Sequence, residues 1–218
     1  YAAVGSIGPI INILIGFFSG LASGAGVVIS RHFGARDEDG VRRAVHTSMV
    51  MTLVLAVAFT VLGVILAPEM LALMLDNERE GFDEMYGAGE TYLRIYFAGV
   101  AGLMLYNMGA GILRAVGDSQ RPLYFLIVCA VTNTVLDVVF VFFFHMGVAG
   151  VALATVISQC LSAVLTLIVL FRTDSCVRLR LKWLRVDTAM LKRIVNIGIP
   201  SAIQMALTAF ANVFVQSY

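Results

Sequence analysis

The sequence predicts an all-α fold, a polytopic transmembrane helix bundle with six spanning helices. Three observations carry that prediction. Sixty per cent of the residues are hydrophobic and only 13% are charged, with a mean hydropathy of +0.91, whereas a soluble domain carries about 25% charged residues. The few charges cluster, leaving long apolar runs between them. The basic residues then fall almost entirely on one side of the resulting topology.

The runs 1–30, 47–68, 95–113, 122–136, 146–171 and 194–218 contain no Asp, Glu, Lys or Arg. About 20 residues of helix cross ~30 Å of hydrocarbon. The fourth run pauses at Asp137 and resumes through Phe144, so that span holds a carboxylate. Strands of a membrane barrel are only ~10 residues long and alternate in polarity. These runs are longer and apolar on all sides, so helices, which satisfy their own backbone groups, must make the crossings. Gly16, Gly20 and Gly24 form a small-residue stripe on the first span, and Gly150, Ala154, Ser158 and Ser162 form another on the fifth. Such stripes let helix backbones approach closely. Residues 31–43 read as a short turn with a helix restart, and 69–94 as a long acidic outer loop. Gly117-Asp118 reads as a turn before Pro122 at a helix start. The short turn at 146–150 predicts a tight antiparallel hairpin of the fourth and fifth spans.

Thirteen of the fifteen Lys and Arg residues lie in 31–46, 114–121 and 172–193. The positive-inside rule puts those three loops in the cytoplasm of a multi-pass protein of the inner (plasma) membrane. Tyr1 and Tyr218 then lie outside, which predicts an earlier span and a longer parent chain. The basic stretch 172–193 suits either anionic headgroups or a connection between two halves of a transporter.

Cys129, Cys160 and Cys176 have no CxxC or CxxxH context. No phosphate-binding glycine loop, Ser–His spacing or His pair on one helical face is present, so the sequence predicts neither an enzyme nor a cofactor. Nucleic-acid binding has no support. The expected partners are the lipid bilayer and small molecules.

One polar constellation lies inside the spans. An intramembrane carboxylate costs about 2.5–3.5 kcal/mol on insertion scales and by default marks an ion or proton path. Asn133 stands four residues before Asp137 and shares its helix face. With Met146 as the hairpin apex, Asp137 and Thr155 are equidistant from it, which predicts a common depth. Gln159, one turn beyond, then lies level with Asn133. A carboxylate, an amide oxygen and a hydroxyl are hard ligands for a small cation such as Na⁺, or the carboxylate alone carries a proton. The alternative is a hydrogen-bonded cluster that only holds the hairpin together, and the carboxylate favours the functional reading. Asn107, Asn12 and Gln204 also lie in spans, where they read as structural or as lining a cavity.

At these residues the chain resembles the multidrug and toxic compound extrusion (MATE) family. Gly24-Ala-Gly-Val-Val-Ile-Ser-Arg-His-Phe-Gly-Ala resembles the end of that family's second helix. Gly111-Ile-Leu-Arg-Ala-Val-Gly-Asp-Ser-Gln-Arg-Pro resembles the junction of its fourth and fifth helices. Asn133-x-x-x-Asp137 matches the fifth helix, and Gly198-Ile-Pro with Asn212 is similar to the start of the second lobe. The resemblance implies a two-lobe, twelve-helix antiporter that exports drugs or other organic, often cationic, compounds against Na⁺ or H⁺. Residues 1–172 would be family helices two to six, 173–193 the inter-lobe linker, and 194–218 the first helix of the second lobe. Asn133, Asp137 and Thr155 match three positions of a first-lobe cation site seen in prokaryotic members. A fourth position, an Asp, belongs to a first helix that precedes this sequence. Where some members carry a Glu on helix seven, this chain has Gln204. Two other functions are considered. A lipid-linked oligosaccharide flippase of the same superfamily would line its cavity with cations, whereas every Lys and Arg here is expected in a loop. A membrane-embedded enzyme would need a second reactive group, for which His145 is the only candidate.

Overall fold

Among the described residues, the six charge-free runs fold almost entirely as helix. The computed structural model describes residues 2–72 and 82–216, with side chains described for 11–71, 86–208 and 211. Its helices are α1 (Ala2–Gly34), α2 (Glu38–Ala72), α3 (Phe82–Ala98), α4 (Val100–Ala115), α5 (Gln120–Val138), α6 (Gly147–Arg172) and α7 (Thr188–Gln216). A π-helical turn, Val139–Phe143, extends α5, and a 3₁₀ turn, Leu181–Trp183, precedes α7. No strand occurs among the described residues. The chain is a membrane protein of apolar helices. α1, α2, α6 and α5 with its π turn are long and apolar enough to cross a bilayer, and α3 with α4 forms a fifth crossing if the pair is one span bent by 45°. Residues 194–216 of the sixth expected span, 194–218, lie in α7, and its last two residues and the side chain of Asn212 lie outside the described residues.

The third span corrects the sequence-based expectation. Residues 69–94 read as an outer loop, yet α3 starts at Phe82, while 73–81 lie outside the described residues. Charge hid this helix from a hydropathy reading. Glu90 and Arg94 stand one turn apart and pair at 2.7 Å, so the charges neutralise each other on one helical face. The bend falls at Gly99. A Cβ there would run into the Val156 side chain of α6, so only glycine allows α6 to pass this close.

α6 packs against α3, α4 and α5, while α1 packs against α2, α4 and α7. The small-residue stripe of α1 serves the α1–α7 contact. A Cβ on Gly20 or Gly24 would collide with the backbone of Ala202 or Gly198. The stripe of α6 faces inward, with Ala154, Ser158 and Ser162 all buried.

At the end of the bundle that carries the basic loops, the connections are tied down. Asp37 precedes α2; its Oδ1 accepts the Gly40 N–H at 2.9 Å and its Oδ2 meets His32 Nδ1 at 2.8 Å. The Gly40 N–H, then His32, hold its carboxyl below the usual carboxylate range. Gly117, at φ +90°, makes the turn into α5. That helix begins at Gln120, so Pro122 is its third residue rather than its first. The stretch between α6 and α7 folds back on the bundle instead of hanging free. Val177 and Leu179 are buried in the core with Ile29, Val41 and Leu113. The Leu179 N–H donates to Leu170 O at 2.8 Å, the Arg180 N–H to His46 Nε2 at 3.1 Å, and the Asp187 N–H to Thr47 Oγ1 at 3.0 Å. Asp187 then caps α7 through the Ala189 and Met190 N–H groups at 3.0 and 3.1 Å.

Candidate ion-coupling site and groove

The α5–α6 hairpin forms as expected, but its register differs by about one helical turn. Thr155 meets Asn133, whose Nδ2 donates to Thr155 Oγ1 at 3.5 Å, rather than standing level with Asp137. The π turn and the three residues between it and α6, Phe144 to Met146, contribute to the offset. In the π turn the Phe144 N–H reaches back five residues to Val139 O at 3.2 Å, and a π turn holds more residues than an α turn. The α5 arm therefore needs extra residues to reach the depth that Thr155 reaches in α6.

Around this point the side chains are half-buried and unequally satisfied. Thr155 donates its proton to Val151 O at 3.0 Å, which leaves its oxygen lone pairs for other partners. Asp137 stands one turn from Asn133 on the same face, and its Oδ1 is buried with no hydrogen-bond partner among the described residues. Buried polar atoms are nearly always paired, so an orphaned carboxylate oxygen inside a span makes Asp137 a candidate for an ion or proton site. Three oxygens of differing charge fit a small monovalent ion or a proton. No group of three or more His, Cys, Asp or Glu able to hold a metal occurs among the described residues, and a lone carboxylate balances a single charge.

Two further residues belong to the cluster and were not found by sequence reasoning. Tyr92 of α3 approaches Thr155 with its hydroxyl and lies within electrostatic reach of Asp137. Tyr96, one turn on, is 2% exposed; its hydroxyl lies beside Gln159 without closing a hydrogen bond. The two rings stack at 6.2 Å. Gln159 therefore sits on the Tyr96 side of the cluster. The i, i+4 spacing of the tyrosines, in register with the Glu90–Arg94 pair, was the available signal.

Asn107 lines a separate groove of about 590 Å³ with Ser19, Ser23, Ser30 and Arg114. It accepts from Ser19 Oγ at 3.2 Å and donates to Leu103 O at 2.9 Å. Arg114 lies in the last turn of α4, and Arg94 lies inside α3, so the expectation that every cation sits in a loop does not hold. Asn12 and Gln204 are exposed on α1 and α7 and form no hydrogen bond to either site. His145 is exposed at the hairpin turn, with φ +54°.

Comparison with known proteins agrees with this architecture. The MatE family profile matches residues 1–139. A probable multidrug resistance protein of Bacillus subtilis, YoeA, is 32% identical over all of this chain and 47% of its own length. The multidrug export protein MepA of Staphylococcus saprophyticus is 27% identical over 96% of this chain and 46% of its own. Among solved structures, a multidrug resistance MATE family transporter of the MOP superfamily in its outward-facing conformation superposes with a TM-score of 0.90 at 29% identity, covering 99% of this chain and 47% of that one. The chain spans about half the length of the curated relatives it matches. With the family profile matched over most of its length and a relative above 30% identity covering all of it, the chain belongs to the MatE family, a family of transporters rather than enzymes.

Proposed function

We propose that this chain forms the ion-coupling part of a Na⁺- or H⁺-driven antiporter that exports drugs or other organic compounds. The observation that carries the reading is the orphaned Oδ1 of Asp137, inside a span and one turn from the Asn133–Thr155 pair. Exchange coupling needs a group whose charge state changes as one ion replaces another. Asp137 is suited to this because a carboxylate can carry either a proton or, once ionised, a bound cation. Asn133, Thr155 and Tyr92 stand near it and offer neutral oxygens. The names of the relatives support drug export, and the groove beside Asn107 offers a polar path. On this reading residues 173–193 connect two lobes, and the loops 31–46, 114–121 and 172–193 face the cytoplasm of the plasma membrane. The rest of the protein would supply the first helix, with its Asp, and the second lobe.

The test is ion-driven efflux by the full-length protein carrying Asp137→Asn, at matched expression. This substitution keeps size and hydrogen bonding and removes the charge. Loss of efflux with normal membrane insertion is expected. Wild-type efflux would mean that the cluster only packs the hairpin. One observation favours the flippase reading, namely the cation Arg114 in the groove. Flux of a lipid-linked oligosaccharide that is sensitive to Arg114→Gln, with no drug efflux, would establish it instead.

A further inference from the structure

Trp183 is the sole tryptophan of the sequence, and it sits where the chain between α6 and α7 crosses the start of α2. The guanidinium groups of Arg42 and Arg180 lie 4.8 and 4.4 Å from its ring centroid, within cation–π range. Beside it opens a cavity of about 540 Å³ lined by Arg42, Arg43, His46, Lys182, Arg185 and Asp187. Asp187, the one acidic side chain in that lining, is already committed, while Glu38 lies in the neighbouring groove on the other side of Arg42 and Trp183. Asp187 caps α7 with one oxygen and meets Arg43 with the other at 3.3 Å, and Asp39 pairs with Arg42 at 3.3 Å. Lys182 and Arg185 have no acidic partner among the described residues. His46 is also engaged: its Nε2 accepts the Arg180 N–H and its Nδ1 bonds Arg42 O at 2.7 Å, so both ring nitrogens are used.

The rim of the cavity is apolar. Leu181 is 70% exposed, Val186 47% and Trp183 39%, interleaved with Arg180, Lys182 and Arg185. Exposed apolar and cationic side chains alternating through a short turn at the ends of spanning helices match the headgroup layer, where Trp is enriched and each cation contributes to holding an anionic surface. A cavity meant for free phosphate has no use for such a rim. We infer that this pocket binds the phosphate headgroup of an anionic phospholipid, with Lys182 and Arg185 as its charge partners and Leu181, Trp183 and Val186 set among the upper acyl carbons.

The test uses the full-length protein in lipid nanodiscs, with any other tryptophan replaced by Phe, and follows quenching of Trp183 by acyl-brominated lipids. Brominated phosphatidylglycerol should quench at lower mole fraction than brominated phosphatidylcholine. Lys182→Gln and Arg185→Gln should each weaken the phosphatidylglycerol response roughly fivefold and leave the phosphatidylcholine response unchanged. Arg185→Lys, which keeps the charge, should keep the preference, and its loss there would overturn the proposal. Equal quenching by the two lipids would overturn it as well. Unquenched Trp183 with both would show that another protein segment covers the pocket. Inorganic phosphate that abolishes the phosphatidylglycerol preference would identify a soluble-anion site instead.

Discussion

Asp187 and Asp137 have opposite surroundings. Asp187 accepts from two backbone N–H groups, meets Arg43, and donates its own N–H to Thr47. Asp137 lies inside a span with a buried oxygen that no described residue answers. The same contrast separates the two ends of the molecule. At the basic end, His46, Asp37 and Asp187 are fully engaged, and their work is to hold helix ends in place. In the α3–α5–α6 cluster, Tyr96 and Asp137 carry polar atoms left without partners. Complete satisfaction spends a polar group on structure, and incomplete satisfaction leaves it available for an ion.

The strongest way to break this comparison is to make one substitution in both places. Asp137→Asn should abolish ion-driven efflux and leave Tm unchanged. Asp187→Asn, which keeps a cap oxygen, should leave efflux intact and cost only the attraction to Arg43. Equal loss of transport in the two variants would dissolve the distinction. Next in size is Gly24→Leu. Overpacking a close helix contact costs about 1–3 kcal/mol, and this change should lower Tm by forcing α1 from α7; an unchanged Tm would mean that the helices part without cost. Thr155→Ala should weaken cation binding about two- to tenfold, the worth of one neutral hydrogen-bonding group, when ion binding is followed by calorimetry. A larger loss than that from Asp137→Asn would make the hydroxyl, rather than the carboxylate, the principal ligand. The smallest effect is in pH. Backbone N–H groups, that of Met190 first, hold the Asp187 carboxyl below its ordinary value. Its contribution to stability is therefore complete above the unfolded carboxylate range, near pH 4, and fades as pH falls through the folded value. Trp183 emission should be steady above that range and change below it, and Asp187→Ala should remove the transition.

The fold was legible because lipid imposes a simple rule: runs without charge must be helix. Asp137, Asn133 and Thr155 stood out for the same reason, being polar where polarity is costly. What stayed hidden was whatever departed from that rule. α3 was masked by Glu90 and Arg94, whose pairing on one face no residue-by-residue count can register, and Tyr92 and Tyr96 were lost with it. Arg114 read as loop because it lies at the very end of α4. The hairpin register was misjudged because a π turn has no compositional mark. The anchoring of 173–187 depends on side chains of α2 that are more than a hundred residues away, a distance that no local pattern spans.

The π turn makes the direction of the Asp137 side chain depend on hairpin length. An α-helix advances about 100° per residue, so adding or removing a single residue in Val139–Phe143 would swing the carboxylate a quarter-turn or more away from Thr155, without changing Asn133, Asp137 or Thr155. Point substitutions in that apolar stretch are open to drift. Insertions and deletions there are not, and the hairpin can vary in sequence far more freely than in length.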